Sequence, residues 1–275
     1  MVKCLYCMPT NPLHCSWFED TNRTLLTSDG KEVHVINFNH QQDDEILREW
    51  ALHLRRHYSS DTDLESNSTA MGVSKSDYLR DVKFPNDTAP GPSVRSGDFS
   101  EILVADYIQF LMNYDVPRTR YDRKATPNSS TQGTDILGFK FSENNTPNDD
   151  ELITCEVKGS LRTASNSLQN AIDDSKKDFE TRLPLALNAT LQRLKDRGDT
   201  KSIRTVERFM NKISNPYKQI TGAFIVCSNN CWTDQMVTGS DSSTHPSPDT
   251  FFLAFTGIDL MDLANSLYQT AYVTA

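Results

Sequence analysis

The stretch ELITCEVK at residues 151–158 is the part of the chain from which its fold can be argued. Apolar and β-branched residues dominate it, so it predicts a strand. Side chains alternate between the two faces of a strand, which places Glu156 and Lys158 on one face, roughly 6.5–7 Å apart along the strand. Cys155 and Val157 project to the opposite, apolar face. The pattern therefore predicts a strand that carries an acid beside a lysine on its other face.

An acid and a lysine side by side on a strand, followed by Gly159, are useful for cutting phosphodiesters. The carboxylate of Glu156 can hold Mg²⁺, a hard cation that prefers oxygen ligands. Lys158 can orient or deprotonate the attacking water, and it can offset charge as the pentacovalent phosphate forms. Three residues carry little information, however, because most Glu-x-Lys pairs are ordinary charges on a solvated strand face.

A second carboxylate comes from the segment GTDILGFKF at residues 133–141, which predicts another strand. A polar loop joins it to the first strand, so the two strands are expected to be antiparallel neighbours. Pairing about a turn near residue 146 places Asp135 opposite the residues just after Glu156, within reach of a shared cation. Gly133 would let the chain turn sharply and leave room for a phosphate backbone.

Glu101 is a third candidate, and two explanations of it remain open. An apolar stripe at helical spacing predicts a helix from Gly97 to about Pro117, with Glu101 in its first turn. Asp98 and Glu101 are spaced as a capping box, in which Asp98 is the N-cap and Glu101 bonds back to its amide. Carboxylates in a first helical turn need no catalytic role, so cap and metal ligand explain Glu101 equally well.

The remaining segments predict a mixed α/β fold with a soft boundary near residue 90. Further strands are predicted at 33–38, 220–227 and 251–255. Further helices are predicted at 43–58, 165–180 and 185–213, with a short helix near the C-terminus. The polar stretch 59–76 predicts a mobile loop, and the prolines between 85 and 92 predict an irregular segment. From residue 97 onward, the order helix, strands, helices, strand indicates a mixed α/β core.

Charge is distributed unevenly along a chain whose formal net charge is −9. Residues 1–115 are acidic, whereas residues 176–218 carry 11 lysines and arginines against 5 acids. Such a basic segment fits contact with a DNA backbone, a solvated helix face, or docking onto an acidic partner. Composition does not choose among the three. If the segment follows DNA, charge reversal at Arg204 and Arg208 should weaken DNA binding.

The sequence also predicts the cellular compartment and the state of the cysteines. No apolar run approaches the ~18 residues of a membrane span, and residues 1–18 lack the apolar stretch of a secretory signal, so a cytoplasmic protein is expected. The six cysteines are then expected to be free thiols. A zinc site from Cys4, Cys7, His14 and Cys15 is a weaker alternative, because no second Cys-x-x-Cys follows.

Together these motifs resemble those of the PD-(D/E)XK nuclease superfamily. The resemblance rests on GDFSE at 97–101, GTDILG at 133–138 and CEVK at 155–158. More narrowly, the chain resembles the nuclease subunit of the bacterial Hachiman antiphage system, with the specific motifs confined to about residues 97–160. The Pro-Asp of the superfamily's name is Thr134-Asp135 here, a common variation that keeps the carboxylate.

The resemblance implies a fold and a biological setting. The expected fold is mixed α/β: a restriction-endonuclease-like core, with a central mixed sheet flanked by helices, at residues 91–275. An acidic α/β region at residues 1–90 precedes it. The expected setting is defence against phage, in which the chain acts on DNA together with a superfamily-2 helicase partner. No membrane contact is expected.

The resemblance also implies roles for the candidate residues. Asp135 and Glu156 would bind a divalent metal, and Lys158 would be catalytic. Glu101 matches the helix acid of the superfamily, which favours its metal role over the cap, and the Val157 carbonyl would be a further ligand. The expected cofactor is Mg²⁺, with Mn²⁺ as a substitute. Two alternatives stay open: a non-catalytic partner-binding subunit that retains a nuclease fold, and a metal-independent DNA-binding module.

Overall fold

A six-stranded mixed sheet runs through the computed structural model, which describes residues 11–130, 133–143 and 146–275. The strands are β1 (Phe18–Leu26), β2 (Glu32–Phe38), β3 (Ile136–Lys140), β4 (Glu151–Ser160), β5 (Lys218–Ser228) and β6 (Thr250–Gly257). Their order across the sheet is β1-β2-β6-β5-β4-β3. The four central strands are parallel, and β1 and β3 pair antiparallel at the two edges. The predicted mixed α/β class with a central mixed sheet is confirmed.

Helices pack on both faces of this sheet. They are α1 (Asp44–Tyr58), α2 (Asp61–Met71), α3 (Lys75–Tyr78), α4 (Gly91–Asp106), α5 (Ser167–Lys177), α6 (Leu183–Arg197), α7 (Thr200–Phe209), α8 (Gln235–Thr238) and α9 (Leu260–Val273). α1, α4 and α9 cover one face. α5 and α8 cover the middle of the other face, and α6 and α7 cover β3 and the adjoining end of β4. The sheet is therefore the middle of three layers.

The central strands have the sequences that burial on both faces requires. Strands in a parallel arrangement are covered on both sides, so they have nearly continuous apolar sequences. In β5 every residue from Thr221 to Ser228 is buried, and in β6 the same holds from Phe252 to Gly257. β5 pairs directly with β4, and β6 pairs with the other edge of β5, so the position of the charged face of β4 within the sheet is fixed.

The charges of α1 explain where this helix begins and ends. The Asp43 side chain accepts hydrogen bonds from the backbone amides of Glu45 and Ile46, at 3.0 and 3.1 Å. Basic residues occupy the last turn, where they complement the negative end of the helix dipole. Trp50 and Leu54 are fully buried, so this face of the helix belongs to the core.

Several elements were not predicted from the sequence, among them α2, α3 and β1. The stretch 59–76, predicted to be a mobile loop, contains α2 and the start of α3, so that prediction was wrong. Ser60 caps α2, and Gly72 ends it with a φ of 68°. Its buried residues are Leu64 and Ser68, so its sequence shows no apolar stripe. Strand β1 was missed as well, because it is exposed along most of its length at the sheet edge.

Segments from both sides of position 90 contribute to one sheet. β2 pairs with β6 in parallel, although more than half of the chain separates them, and its other neighbour is β1. The expected boundary between residues 1–90 and residues 91–275 therefore does not coincide with a break in the sheet. It stays a prediction about the organisation of the chain.

The described cysteines are buried free thiols, as predicted: Cys15, Cys155, Cys227 and Cys231. Cys4 and Cys7, the first half of the suggested zinc site, lie outside the described residues. His14 of the same suggestion contacts Asp106. Of the helices in the described ranges, none combines the length and the apolar character needed to cross a membrane.

A buried polar network joins the N-terminal residues to α1 and α4. The Asp106 carboxylate is fully buried and lies 3.0 Å from His14, 3.0 Å from His53 and 2.8 Å from Arg118. Burial alone would raise the pKa of Asp106, but these three partners hold it well below its usual range. Burial lowers the pKa of His14 to about 4, so this imidazole is neutral in the folded protein near neutral pH.

We expect mild acid to destabilise the fold through His14. An unfolded histidine has a pKa of about 6.5, whereas the pKa of His14 in the folded protein is about 4. Between these two pH values His14 binds a proton more readily in the unfolded chain than in the folded one. Its contribution to stability therefore falls as the pH falls. The whole pKa difference between the two states corresponds to about 3 kcal/mol in the free energy of unfolding. Urea unfolding at about pH 7.5 and about pH 5 measures the change.

The variant His14→Gln should be less stable than the wild type at the higher pH but should lose less stability on acidification. His34→Gln, at an exposed position of β2, is the matched control and should keep the dependence of the wild type. A free-energy difference between the wild type and His14→Gln that is the same at the two pH values would contradict the expectation.

Candidate functional site

The pairing of β3 with β4 brings the first two candidate acids together. Ile136 is opposite Cys155 in the antiparallel register, so Asp135, which directly precedes β3, lies beside Glu156. The backbone amide of Val157 donates a hydrogen bond of 2.9 Å to the Asp135 carboxylate. Asp135 thus contacts the residue just after Glu156, which is where the predicted hairpin pairing put it.

Glu156 and Lys158 project from the same face of β4, and the alternate residues of the strand are buried in the core on the other face. Glu156 is only 3% exposed. Its two oxygens lie 3.1 Å from Arg182 and 3.6 Å from Nζ of Lys158. Lys158 also forms a 2.6 Å ion pair with Asp174 of α5. The lysine therefore lies between two carboxylates.

Glu101 lies in the middle of α4, so the capping-box explanation of this residue was wrong. The helix begins at Gly91, and Asp98 is a buried residue inside it. The Glu101 carboxylate accepts a 2.6 Å hydrogen bond from Tyr121 and lies 3.1 Å from Nε of Arg120. The first turns of α4 contain glycine and proline, so the sequence predicted irregular chain there. Proline is nevertheless well tolerated where a helix begins.

Arg120 connects the two sides of the site. Its guanidinium lies 2.9 Å from Asp135 and 3.1 Å from Glu101, and it also donates to the Thr134 carbonyl. The chain therefore places a cation of its own between two of the predicted metal ligands. Arg120 was not among the predicted site residues. It belongs to a basic turn, and nothing in the sequence distinguishes it from the neighbouring arginines.

A fourth carboxylate, Asp178, was also missed. It is fully buried in the π-helical turn that follows α5, and it accepts a 3.0 Å hydrogen bond from Thr134. It lies four residues after Asp174, so the two side chains share the helix face that is turned toward β4. The four-residue spacing of Asp174 and Asp178 on the predicted helix 165–180 could have indicated a shared site. Paired acids are common on solvated helices, however, so the spacing alone is a weak signal.

The four carboxylates crowd one another in a poorly solvated place. Burial raises the pKa of Glu156 to about 10, and the charges of Asp135 and Asp178 add to the effect. Burial likewise raises the pKa of Glu101 to about 8 and that of Asp178 to about 6. Near neutral pH the site therefore holds protons that a divalent cation would displace. Carboxylate oxygens with a backbone carbonyl beside them are donors that suit Mg²⁺.

Distances limit how many of these acids can bind one cation. Among the described residues, three residues that each offer a ligand atom within 4.8 Å of the others occur in the buried network around Asp106, where Arg118 already neutralises the charge. Glu101, Asp135 and Glu156 are not that close together, and the Arg120 guanidinium lies between the first two. Binding of one cation by all three therefore requires Arg120 to move away.

Arg120, Asp135 and Glu156 line a cavity of about 610 Å³, a size typical of ligand-binding clefts, and Glu101 is not part of its lining. One wall is formed by the ends of β3 and β4, with Asp135, Glu156 and Lys158. The facing wall is α6, which contributes Leu185 and Arg193. Acids, a lysine and arginines thus surround one space, and we call it the site cavity.

Part of the basic segment 176–218 faces the site cavity. Arg193 lines it, whereas Arg204 is exposed on α7 outside it. Arg208 has a structural role, because it pairs with Asp150 at 2.8 Å and donates to backbone carbonyls of the following loop. Charge reversal at Arg208 would therefore disturb the fold, and it does not isolate a contact with DNA.

Comparison with known proteins identifies a family. A protein-family model described as HamA matches residues 13–271 of the chain. The matched range includes all six strands and every residue of the site cavity. No curated protein matches the chain.

Removal of the Arg120 side chain should destabilise the fold. The variant Arg120→Gln leaves the buried carboxylates of Glu101 and Asp135 without their cation, a change that typically costs about 3–5 kcal/mol. Urea unfolding measures this loss, and added Mg²⁺ should restore more stability to the variant than to the wild type. Arg48→Gln, which removes an exposed pair on α1, is the control and should leave stability nearly unchanged. Equal stability of Arg120→Gln and the wild type would contradict the bridging role.

Proposed function

The chain belongs to the HamA family, a subunit of the Hachiman antiphage defence system, and we propose that it is a metal-dependent nuclease that hydrolyses DNA phosphodiesters. The observation that carries this proposal is the convergence of Asp135, Glu156 and Lys158 on one wall of the site cavity. Two carboxylates can hold Mg²⁺, and a lysine beside them can stabilise the charge that forms during phosphodiester hydrolysis. DNA, rather than RNA, is proposed from the resemblance of the motifs.

The proposed metal ligands are the oxygen donors of the site. Asp135 and Glu156 supply carboxylates, Val157 supplies a backbone carbonyl, and Glu101 supplies a further carboxylate from α4. When bound, Mg²⁺, or Mn²⁺ in its place, supplies a Lewis acid that lowers the pKa of water and stabilises negative charge on a phosphate. The crowding that raises the pKa values of Glu101 and Glu156 supports this assignment, because a cation relieves it.

Lys158 is proposed to act as a cation. Burial alone would lower its pKa, but the hydrogen bond to Asp174 and the charge of Glu156 raise the pKa above its usual value. The ammonium group therefore stays protonated near neutral pH. It can orient the attacking water and offset the charge that forms on the phosphate. Of the two roles that the sequence left open for this lysine, orientation is favoured over deprotonation of the water.

A non-catalytic partner-binding subunit is the second candidate, and one observation favours it. The acids of the site have cation partners from the same chain, Arg120 for Asp135 and Arg182 for Glu156. Acids that are neutralised in this way are stable without metal, as they would be in a scaffold that only binds a partner. The two candidates differ in whether cleavage occurs once the partner is present.

The proposed partner is a superfamily-2 helicase. HamA belongs to a defence system of more than one subunit. The net charge of −9 opposes the approach of the free chain to DNA, so a partner that holds the DNA would promote contact. This partner would bring the substrate to the site cavity.

Cleavage of plasmid and linear DNA tests the nuclease proposal. With Mg²⁺ or Mn²⁺ the wild type should cut, and with EDTA it should not. Glu156→Gln and Lys158→Ala should each lower the rate by about 100-fold or more, because each removes a charge that stabilises the transition state. Lys195→Ala, at an exposed position of α6, is the matched control and should cut at the rate of the wild type.

The outcomes separate the candidates when the assay is repeated with the helicase present. Cutting only in the complex would indicate a nuclease that its partner activates. Absence of cutting with every ion, alone and in the complex, would reject the nuclease and leave the partner-binding subunit. Retained DNA affinity in EDTA without any cleavage would instead indicate a metal-independent DNA-binding module.

A further inference from the structure

Arg193 is a half-buried cation in the site cavity, on the wall that faces Glu156 and Lys158. It makes no hydrogen bond or ion pair with the described residues. Its neighbours differ in this respect, because Arg182 pairs with Glu156 and Arg197 pairs with Asp122. Taking a guanidinium partly out of water without a carboxylate partner is unfavourable unless something else compensates the charge.

The surroundings of Arg193 add to this excess of positive charge. Burial lowers the pKa of Arg193, and the arginines at 120, 197 and 123 lower it further. Asp122 acts in the opposite direction, but its carboxylate is already held by Arg197 at 2.7 Å. The cavity wall along α6 is therefore a place where an anion gains from several cations at once.

A second cavity, of about 430 Å³, continues this basic wall by one turn of α6. Arg193 lines the site cavity and Arg197 lines the second cavity, about 6 Å further along the helix. Lys83 also lines the second cavity, where it is half-buried and donates a 3.1 Å hydrogen bond to the Asp122 carbonyl. Among the described residues it has no carboxylate within ion-pair distance. Burial lowers the pKa of Lys83 as well.

We propose that Arg193 and Lys83 bind two backbone phosphates of one DNA strand, which runs from the site cavity along α6 into the second cavity. The two cations are related, since the charge of Asp122 acts on both of them. Phosphate is the ligand class that fits best, because a strand carries anions at regular intervals and both cavities hold cations without carboxylate partners. This inference rests on the proposed function, and it assigns the direction in which the substrate leaves the site.

Two of the three acids that line the second cavity are paired with arginines. Asp122 pairs with Arg197, and Asp196 lies 3.4 Å from Arg123. The third, Asp63, accepts a 2.8 Å hydrogen bond from Ser60, and its charge acts on Lys83 without forming an ion pair with it. A carboxylate that is paired with an arginine contributes little net field at the distance of a phosphate. The guanidinium groups of these pairs also have further donors for a phosphate oxygen.

Binding of a labelled DNA duplex to the full chain tests the path. The probe is a fluorescein-labelled duplex of about 20 base pairs, titrated by anisotropy over a series of salt concentrations, with Ca²⁺ replacing Mg²⁺ so that cleavage does not occur. Arg193→Gln should weaken binding by about tenfold and should lower the slope of log affinity against log salt by about one. Lys83→Gln should have the same kind of effect.

Two controls show whether such losses come from phosphate contact. Arg193→Lys keeps the charge and should bind within about threefold of the wild type. Arg204→Gln removes an exposed cation of the same basic segment, outside both cavities, and should bind within about twofold of the wild type. None of the described ion pairs is lost in Arg193→Gln or Lys83→Gln, so both variants should melt at the temperature of the wild type.

Each result decides the inference separately from the nuclease proposal. Wild-type affinity in Arg193→Gln, or no binding by the wild type, would overturn the inference even if DNA is cut. An effect of Arg193→Gln without an effect of Lys83→Gln would overturn the path into the second cavity. Binding that depends on both residues, in a chain that never cuts DNA alone or with the helicase, would support the inference and reject the nuclease.

Discussion

The hydrogen bond between the Val157 amide and the Asp135 carboxylate connects the sheet to the site, and the other site contacts depend on it. It extends the β3–β4 pairing one position past the first residue of β3, where the ladder of backbone bonds ends. β4 cannot shift, because it pairs with β5 along its whole length. The position of Asp135 relative to Glu156 is therefore fixed by the sheet, and only the side chains of the surrounding helices remain to complete the cavity.

Those helices and the turns beside them supply acids and arginines whose charges partly cancel. The sequence near each residue does not show this pairing. Four largely buried acids lie close together, and burial and mutual repulsion raise the pKa values of Glu101 and Glu156. Arg120 relieves part of the repulsion from one side and Arg182 from the other. An arrangement of this kind is held by its own cations without metal, and binding of a divalent cation there, as proposed, would displace protons from the acids.

The sequence predicted strands β2 to β6 and placed Asp135 and Glu156 near each other, because both follow from alternation along a strand and from pairing across a short hairpin. It did not predict Arg120 or Asp178, and it offered Arg193 only as one of many cations in a basic segment with three open explanations, since each acquires its role only when a turn or helix packs against the sheet. The same limit explains the errors in secondary structure. α2 is stabilised by its caps and a few contacts, and α4 begins at a glycine where the sequence favoured irregular chain.

The acidic character of the chain and its basic cavity wall act at different distances. At physiological salt, charges more than about 8 Å apart are largely screened, so the net charge of −9 acts as a weak general barrier to approach. Near Arg193, the arginines at 120, 123 and 197 contribute positive charge at short range, and Asp122 opposes it. Under the proposed function, a DNA strand that another protein already holds close would meet these cations. For that function, this distribution of charge favours DNA that a partner delivers over DNA that the chain must find alone.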